Sequence, residues 1–156
     1  MCSSDLEALA DAVDAVVGGW SLASIYELHS GAPLAWGNLI YLGAPLNYNA
    51  ENVNHSFDTT AFNTVSSQQL ASNYRTFPTQ FNNLRVDHSN NIDITLTKTF
   101  TIKERVKIQF RAESFNLCNK PLFASPTLTA TTSTFGTIPS QTNNPRYIQF
   151  GLRLTY

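Results

Sequence analysis

The last eleven residues, Arg146-Tyr147-Ile148-Gln149-Phe150-Gly151-Leu152-Arg153-Leu154-Thr155-Tyr156, alternate without a break. Ile148, Phe150, Leu152, Leu154 and Tyr156 share one face, and Tyr147, Gln149, Gly151, Arg153 and Thr155 share the other. A period of two is the period of a β-strand, because successive Cβ atoms point to opposite sides of the pleat. Two more stretches read the same way. In residues 91–101, Ile92, Ile94, Leu96, Lys98 and Phe100 oppose Asp93, Thr95, Thr97, Thr99 and Thr101. In residues 106–117, Val106, Ile108, Phe110 and Ala112 oppose Lys107, Gln109, Arg111 and Glu113. The tight connection Ile102–Arg105 between them predicts a hairpin. Phe115 and Leu117 land on the polar face, which predicts a bulge or an exit from the sheet. Residues 20–29 form a fourth, less regular strand pattern that Ser30-Gly31-Ala32-Pro33 ends.

Composition agrees with an all-β chain. Its 156 residues suffice for one ordinary domain. Charged residues make up 13%, about half the usual share, while Asn and Thr together fill about a fifth. Ten basic against eleven acidic residues give a net charge of −1, without the basic surplus of a nucleic-acid binder. No window holds the ~18 apolar residues of a membrane-spanning helix. A transmembrane β-strand needs only about 9–11 residues, and it alternates.

The pattern therefore leaves two solvents open for the apolar face: the core of a soluble sandwich, or lipid. Loop lengths discriminate. If each strand crosses a membrane, the long loops 31–90 and 118–145 fall on one side and the four-residue turn on the other. Outer-membrane barrels have that asymmetry, with short periplasmic turns and long extracellular loops. Trp20, Phe100 and Tyr156 then meet at the near-side interface, where an aromatic girdle belongs. Lys98, one step inside Phe100 on the lipid side, is expected to snorkel. The polar faces line a lumen. Four strands cannot close a barrel, for which about eight are needed. Residues 7–156 are accordingly expected to be the C-terminal part of a larger transmembrane barrel.

The remaining segments say less. Met1–Leu6 (Met-Cys-Ser-Ser-Asp-Leu) matches the translation of a sequencing-library adapter, so this start is expected to be non-native and the frame truncated. Asp5–Val17 reads as a short helix stopped by Gly18-Gly19. In loop 31–90 the aromatics Trp36, Tyr41, Tyr48, Phe57, Phe62, Tyr74, Phe77 and Phe81 point to local packing, and Asn38–Leu42 to short pairing. Cys2 and Cys118 lack metal-ligand spacing. Asp87-His88 are adjacent and Glu27 and His29 share a strand face, a thin basis for a metal site. Asp93 and Glu113 could approach across the hairpin, but Lys107 and Arg111 favour a lumenal charge network over acid–base work. No nucleophile grouping or phosphate loop is recognisable. The expectation is a non-enzyme without metal or cofactor. The competing reading is a soluble or secreted all-β binding module using the aromatic loop 31–90.

Several motifs in order resemble one family. Gly18-Gly19-Trp20-Ser21-Leu22 followed by Ser30-Gly31-Ala32-Pro33 is similar to the "GGW-x-L … SG-x-P" stretch of TonB-dependent receptor-like proteins of the Oar type, which carry a carboxypeptidase-regulatory-like domain. Asn91–Phe100 resembles their "NxDxSLxKxF" strand, and Gln109–Asn119 their "QFRAExFNxxN" segment. Phe135-Gly136-Thr137-Ile138 and Pro145–Leu152 resemble "FGxI" and "PRxIQFGL". In the long loop the likeness is confined to Phe57-Asp58-Thr59-Thr60-Ala61-Phe62, and Cys118 stands where an apolar residue is usual. The resemblance implies an outer-membrane receptor that binds or takes up an extracellular ligand. Its implied partners are outer-membrane lipid, the barrel-assembly machinery, the rest of the barrel with its plug, and an energy-coupling protein acting through regions this chain lacks. It also implies that Ile148, Phe150, Leu152, Leu154 and Tyr156 form the C-terminal assembly signal.

Overall fold

The computed structural model describes residues 13, 16–69, 75–103 and 106–156. The adapter-like start, Cys2, Tyr74 and most of the expected Asp5–Val17 helix lie outside them; Val13, Val16 and Val17 are helical. The described residues form two compact units: those up to Glu27, with Asn91–Lys120 and Pro145–Tyr156, in one, and those of Leu28–Asn90 and Pro121–Asn144 in the other.

The first unit is built on a sheet. Strands β1 (Trp20–His29), β2 (Ser89–Lys103), β3 (Val106–Phe115) and β4 (Tyr147–Thr155) lie in the order β1-β2-β3-β4. Consecutive strands are neighbours, an antiparallel up-and-down arrangement. The register joins the apolar residues into rows: Leu96, Ala112 and Phe150; Lys98, Phe110 and Leu152; Phe100, Ile108 and Leu154. Rows of Thr95, Glu113 and Gln149, and of Thr99, Gln109 and Arg153, run along the opposite face. Alternating Thr and Ile make β2 a strong strand former, since branched side chains fit a pleated surface.

Several boundaries differ from expectation: β2 starts earlier, at Ser89, and β4, Tyr147–Thr155, is one residue shorter at each end. β2 runs on to Lys103, with a register shift between Thr101 and Lys103 that absorbs Ile102. β3 stops at Phe115 and does not reach Leu117. No bulge precedes that stop: the ladder is continuous to Phe115 opposite Tyr147, and the two rings stack at 6.3 Å. The chain turns because Asn116 and Asn119 take φ of 49° and 51°, a conformation Asn tolerates better than most residues. Asn116 N–H donates to Asp93 Oδ1 at 2.9 Å, and Arg146 N–H donates to Asn119 Oδ1 at 2.9 Å. Each asparagine of the "FNxxN" motif thus bends the chain and serves a neighbouring strand end.

The second unit has little regular structure but a core of its own. Leu34, Trp36, Leu39, Phe57, Ala61, Phe62, Phe77, Leu84, Ala130 and Phe135 are buried together. Trp36 stacks on Phe62 at 5.5 Å and meets Phe57 and Phe77 edge-on. Asp58 caps the 3-10 turn Thr59–Ala61 by accepting from Thr60 N–H, which turns Phe57 and Phe62 inward at its two ends. Asn38–Leu42 pairs through a single bridge, Tyr41 to Phe62. Gly31 passes so close to the backbone that a Cβ would sit 1.9 Å from the Val86 carbonyl oxygen.

Candidate membrane-facing surface

The face carrying Ile148, Phe150, Leu152 and Leu154 has no layer over it among the described residues. Leu152 is 77% exposed and Phe150 71%. On β1, Leu22, Tyr26 and Leu28 are equally bare. A closed sandwich would bury Ile94, Phe110 and Leu152 together, and it is not what forms. Contiguous apolar surface of this kind needs a nonpolar neighbour. Phe110 and Phe150 stack on it at 6.1 Å.

The opposite face has the chemistry of a wetted wall. Glu113 accepts from Arg111, from the Gln149 amide, and from Thr95 at 3.4 Å. This network spans three strands and uses up the carboxylate. Asp93 accepts from Asn91 and Asn116. The two carboxylates thus serve separate sets of donors.

The expected interface aromatics fall into two groups. Trp20 and Phe100 come together around one ammonium group: Lys98 Nζ lies 5.5 Å from the Trp20 ring centroid and 5.3 Å from that of Phe100. Tyr156 stands beyond the end of β4 and is fully exposed. Lys98 itself does not snorkel outward. It is 2% exposed, and its ammonium donates to the carbonyls of Gly18 and Val16. Sequence reasoning placed Lys98 on the lipid face but had no means of seeing which backbone atoms would satisfy it. It also missed the Phe115–Tyr147 pair, although their shared odd parity on the polar face was visible.

The loop unit offers two further places for chemistry. Glu51, Asp87 and His88 each bring one ligand atom to within 4.8 Å of the others. Glu51 was not foreseen, because it joins Asp87-His88 through folding of the loop. Asp87 is buried, and protein donors already occupy it: His88 N–H at 2.8 Å on Oδ1 and Phe123 N–H at 3.1 Å on Oδ2. It ties the 121–144 segment to the 28–90 segment. A groove of about 550 Å³ is lined by Tyr48, Asn52, His55 and Asp58 among others. Burial, and then the charge of Asp87, push the Tyr48 phenol up to about 12. Two hydrogen bonds from Thr60 hold the Asp58 carboxyl below its usual range. Of the aromatics expected to pack, Trp36, Phe57, Phe62 and Phe77 are buried in the core and Tyr41, Tyr48 and Phe81 pack against it, whereas Tyr74 lies outside the described residues.

Antiparallel neighbours, one bare apolar face and one hydrogen-bonded polar face together define strands of a transmembrane β-barrel. The family model "Outer membrane beta barrel domain" matches residues 5–149, and the chain belongs to that family. It is an outer-membrane protein of a Gram-negative bacterium. Neither curated proteins nor solved structures provide a match.

Proposed function

We propose that the chain is the C-terminal part of a TonB-dependent receptor-like barrel of the Oar type. In its intact form this barrel binds or takes up an extracellular ligand and carries no catalytic step. The observation that carries the reading is the unequal length of the connections. Fifty-nine residues separate β1 from β2 and thirty-one separate β3 from β4, whereas two separate β2 from β3. Long extracellular loops holding a packed core suit ligand contact, and short turns suit the periplasmic side. The ordered motifs from Gly18 to Leu152 supply the narrower family. Lipid, the barrel-assembly machinery, the remaining barrel with its plug, and an energy-coupling protein are the partners this reading requires.

Cys118 is a free, exposed thiol just after β3, on the loop side, and so is a built-in reporter. A membrane-impermeant maleimide should label it in intact cells, and Cys118→Ser should abolish that signal. Labelling only after lysis would reverse the orientation and remove the receptor reading. Crosslinking in the same cells should then capture the periplasmic energy-coupling protein on the full-length barrel. A correctly oriented barrel without that adduct would be an outer-membrane barrel outside the TonB-dependent class.

A further inference from the structure

Among the described residues of β2, β3 and β4, Lys98 is the one charged side chain on the apolar face. A charge there is costly unless it finds partners. Its partners come from the chain itself, through the turn that precedes β1. We propose that Lys98 is a positioning residue, a latch whose ammonium grips the Val16 and Gly18 carbonyls between the Trp20 and Phe100 rings and so fixes where the chain enters β1.

Four features converge on it. An ammonium has three donors and no acceptor, which suits backbone carbonyls left free at the end of a helical turn. The Lys98 ammonium lies 3.5 Å from the Val16 oxygen and closer to that of Gly18. Trp20 Nε1–H donates to the same Val16 oxygen at 3.0 Å, so the indole and the ammonium close one ring of contacts around a single carbonyl. Gly19 has φ of 71°, which lets the turn bring its carbonyls back toward β2; a side chain there would be strained. The two ring faces then shield the cation on the nonpolar side.

The arrangement gives a physical reason for spacing Gly-Gly-Trp just before one strand and Lys-x-Phe within the next. β1 is the end strand of the four, and a one-residue slip would turn each of its side chains to the wrong face. A latch at its first residue removes that freedom. Trp20 and Phe100 thereby acquire a task besides facing the interface. The inference rests on the barrel class and not on ligand uptake.

Hydrogen exchange of the membrane-inserted protein tests it, read at the amides of residues 20–25 with those of β3 and β4 as internal reference. Lys98→Met keeps the stem and removes the donors. It should raise exchange at 20–25 by about tenfold or more while leaving β3 and β4 unchanged, as expected for a local opening. Lys98→Arg should restore protection, because it keeps a cation that can reach carbonyls and rings. Gly19→Ala attacks the latch from the turn side and should give the same local rise, which covers the case in which Lys98→Met fails to insert. Exchange should be the same in vesicles of phosphatidylcholine alone and in vesicles with added phosphatidylglycerol. Unchanged protection in Lys98→Met and Gly19→Ala would overturn the latch. Protection that depends on the anionic lipid would also overturn it, by assigning Lys98 to a phosphate headgroup.

Discussion

Phe62 and Phe150 are the same side chain placed in opposite surroundings. Phe62 is 3% exposed at the centre of the loop unit, ringed by Trp36, Phe57, Phe77 and Phe135. Phe150 is 71% exposed on β4, touching only Phe110 among aromatic rings of the described residues. The loop unit solves the hydrophobic problem internally, as a water-soluble protein does. The sheet unit leaves it to the solvent, which for an outer-membrane barrel is lipid. Alternation therefore marks the lipid-facing part, whereas the water-facing part has hydrophobic residues at no fixed period because irregular backbone holds them.

The comparison predicts that truncation will hurt one region and charge the other. Phe62→Ala should cost about 3–5 kcal/mol, the range for emptying an aromatic site in a packed core. Urea unfolding followed by fluorescence checks it, because Trp36 reports on the loop unit and Trp20 on the sheet unit. Loss of the Trp36 transition with retention of the Trp20 transition would confirm that the loop core stands on its own contacts. A joint loss would mean that the sheet depends on it.

Leu152→Arg is the complementary change. On the lipid face near mid-membrane it should cost about 2–4 kcal/mol and lower the amount of inserted protein. Gln149→Arg, on the polar face beside Glu113, should insert normally. Outer-membrane fractions probed for both variants give the answer. Equal tolerance would mean that the exposed apolar face does not meet lipid, and the contrast with Phe62 would lose its explanation.

The strands were legible in the sequence because a two-residue period survives in the letters: the faces of Ile92–Phe100, Val106–Ala112 and Ile148–Leu154 could be assigned by counting. The loop unit was legible only as a surplus of aromatics. Its pairings join residues far apart, such as Ser56 Oγ–H to the Gly136 carbonyl at 2.7 Å, and nothing local announces them. Of the two outcomes expected at Phe115, a bulge or an exit from the sheet, the exit is what forms, one residue later. The alternation is intact through Phe115, and Asn116, with its positive φ, is where the strand stops. Lys98 was placed on the correct face, but its partners lie eighty residues upstream.

A smaller effect should follow from Gly136. Its φ is 82°, and a Cβ there would lie 2.8 Å from Thr59 Cγ2. Gly136→Ala should cost about 1–2 kcal/mol for the left-handed backbone, with an addition for the overlap. The loss belongs to the loop unit and should appear in the Trp36 transition. A matching loss in the Trp20 transition would blur the division between the two regions.

The smallest expected effect is at Tyr48. Its hydroxyl is buried without a hydrogen-bond partner among the described residues, so the loop core bears a desolvation cost there that phenylalanine would not incur. Tyr48→Phe should change stability at pH 7 by less than about 1 kcal/mol, in the stabilising direction. The pH dependence is the sharper reading. The phenol is pushed from 10.0 to about 12 in the folded chain, first by burial and then by Asp87. A raised value means that the folded state holds its proton more tightly, so this group's contribution is complete below the unfolded value and is lost as pH rises through 10 toward 12. The wild-type loop unit should therefore weaken across that window more steeply than Tyr48→Phe, as read from urea midpoints of the Trp36 transition. Parallel slopes for the two proteins would show that the hydroxyl reaches water, and would make this corner of the loop unit less like a core than Phe62 is.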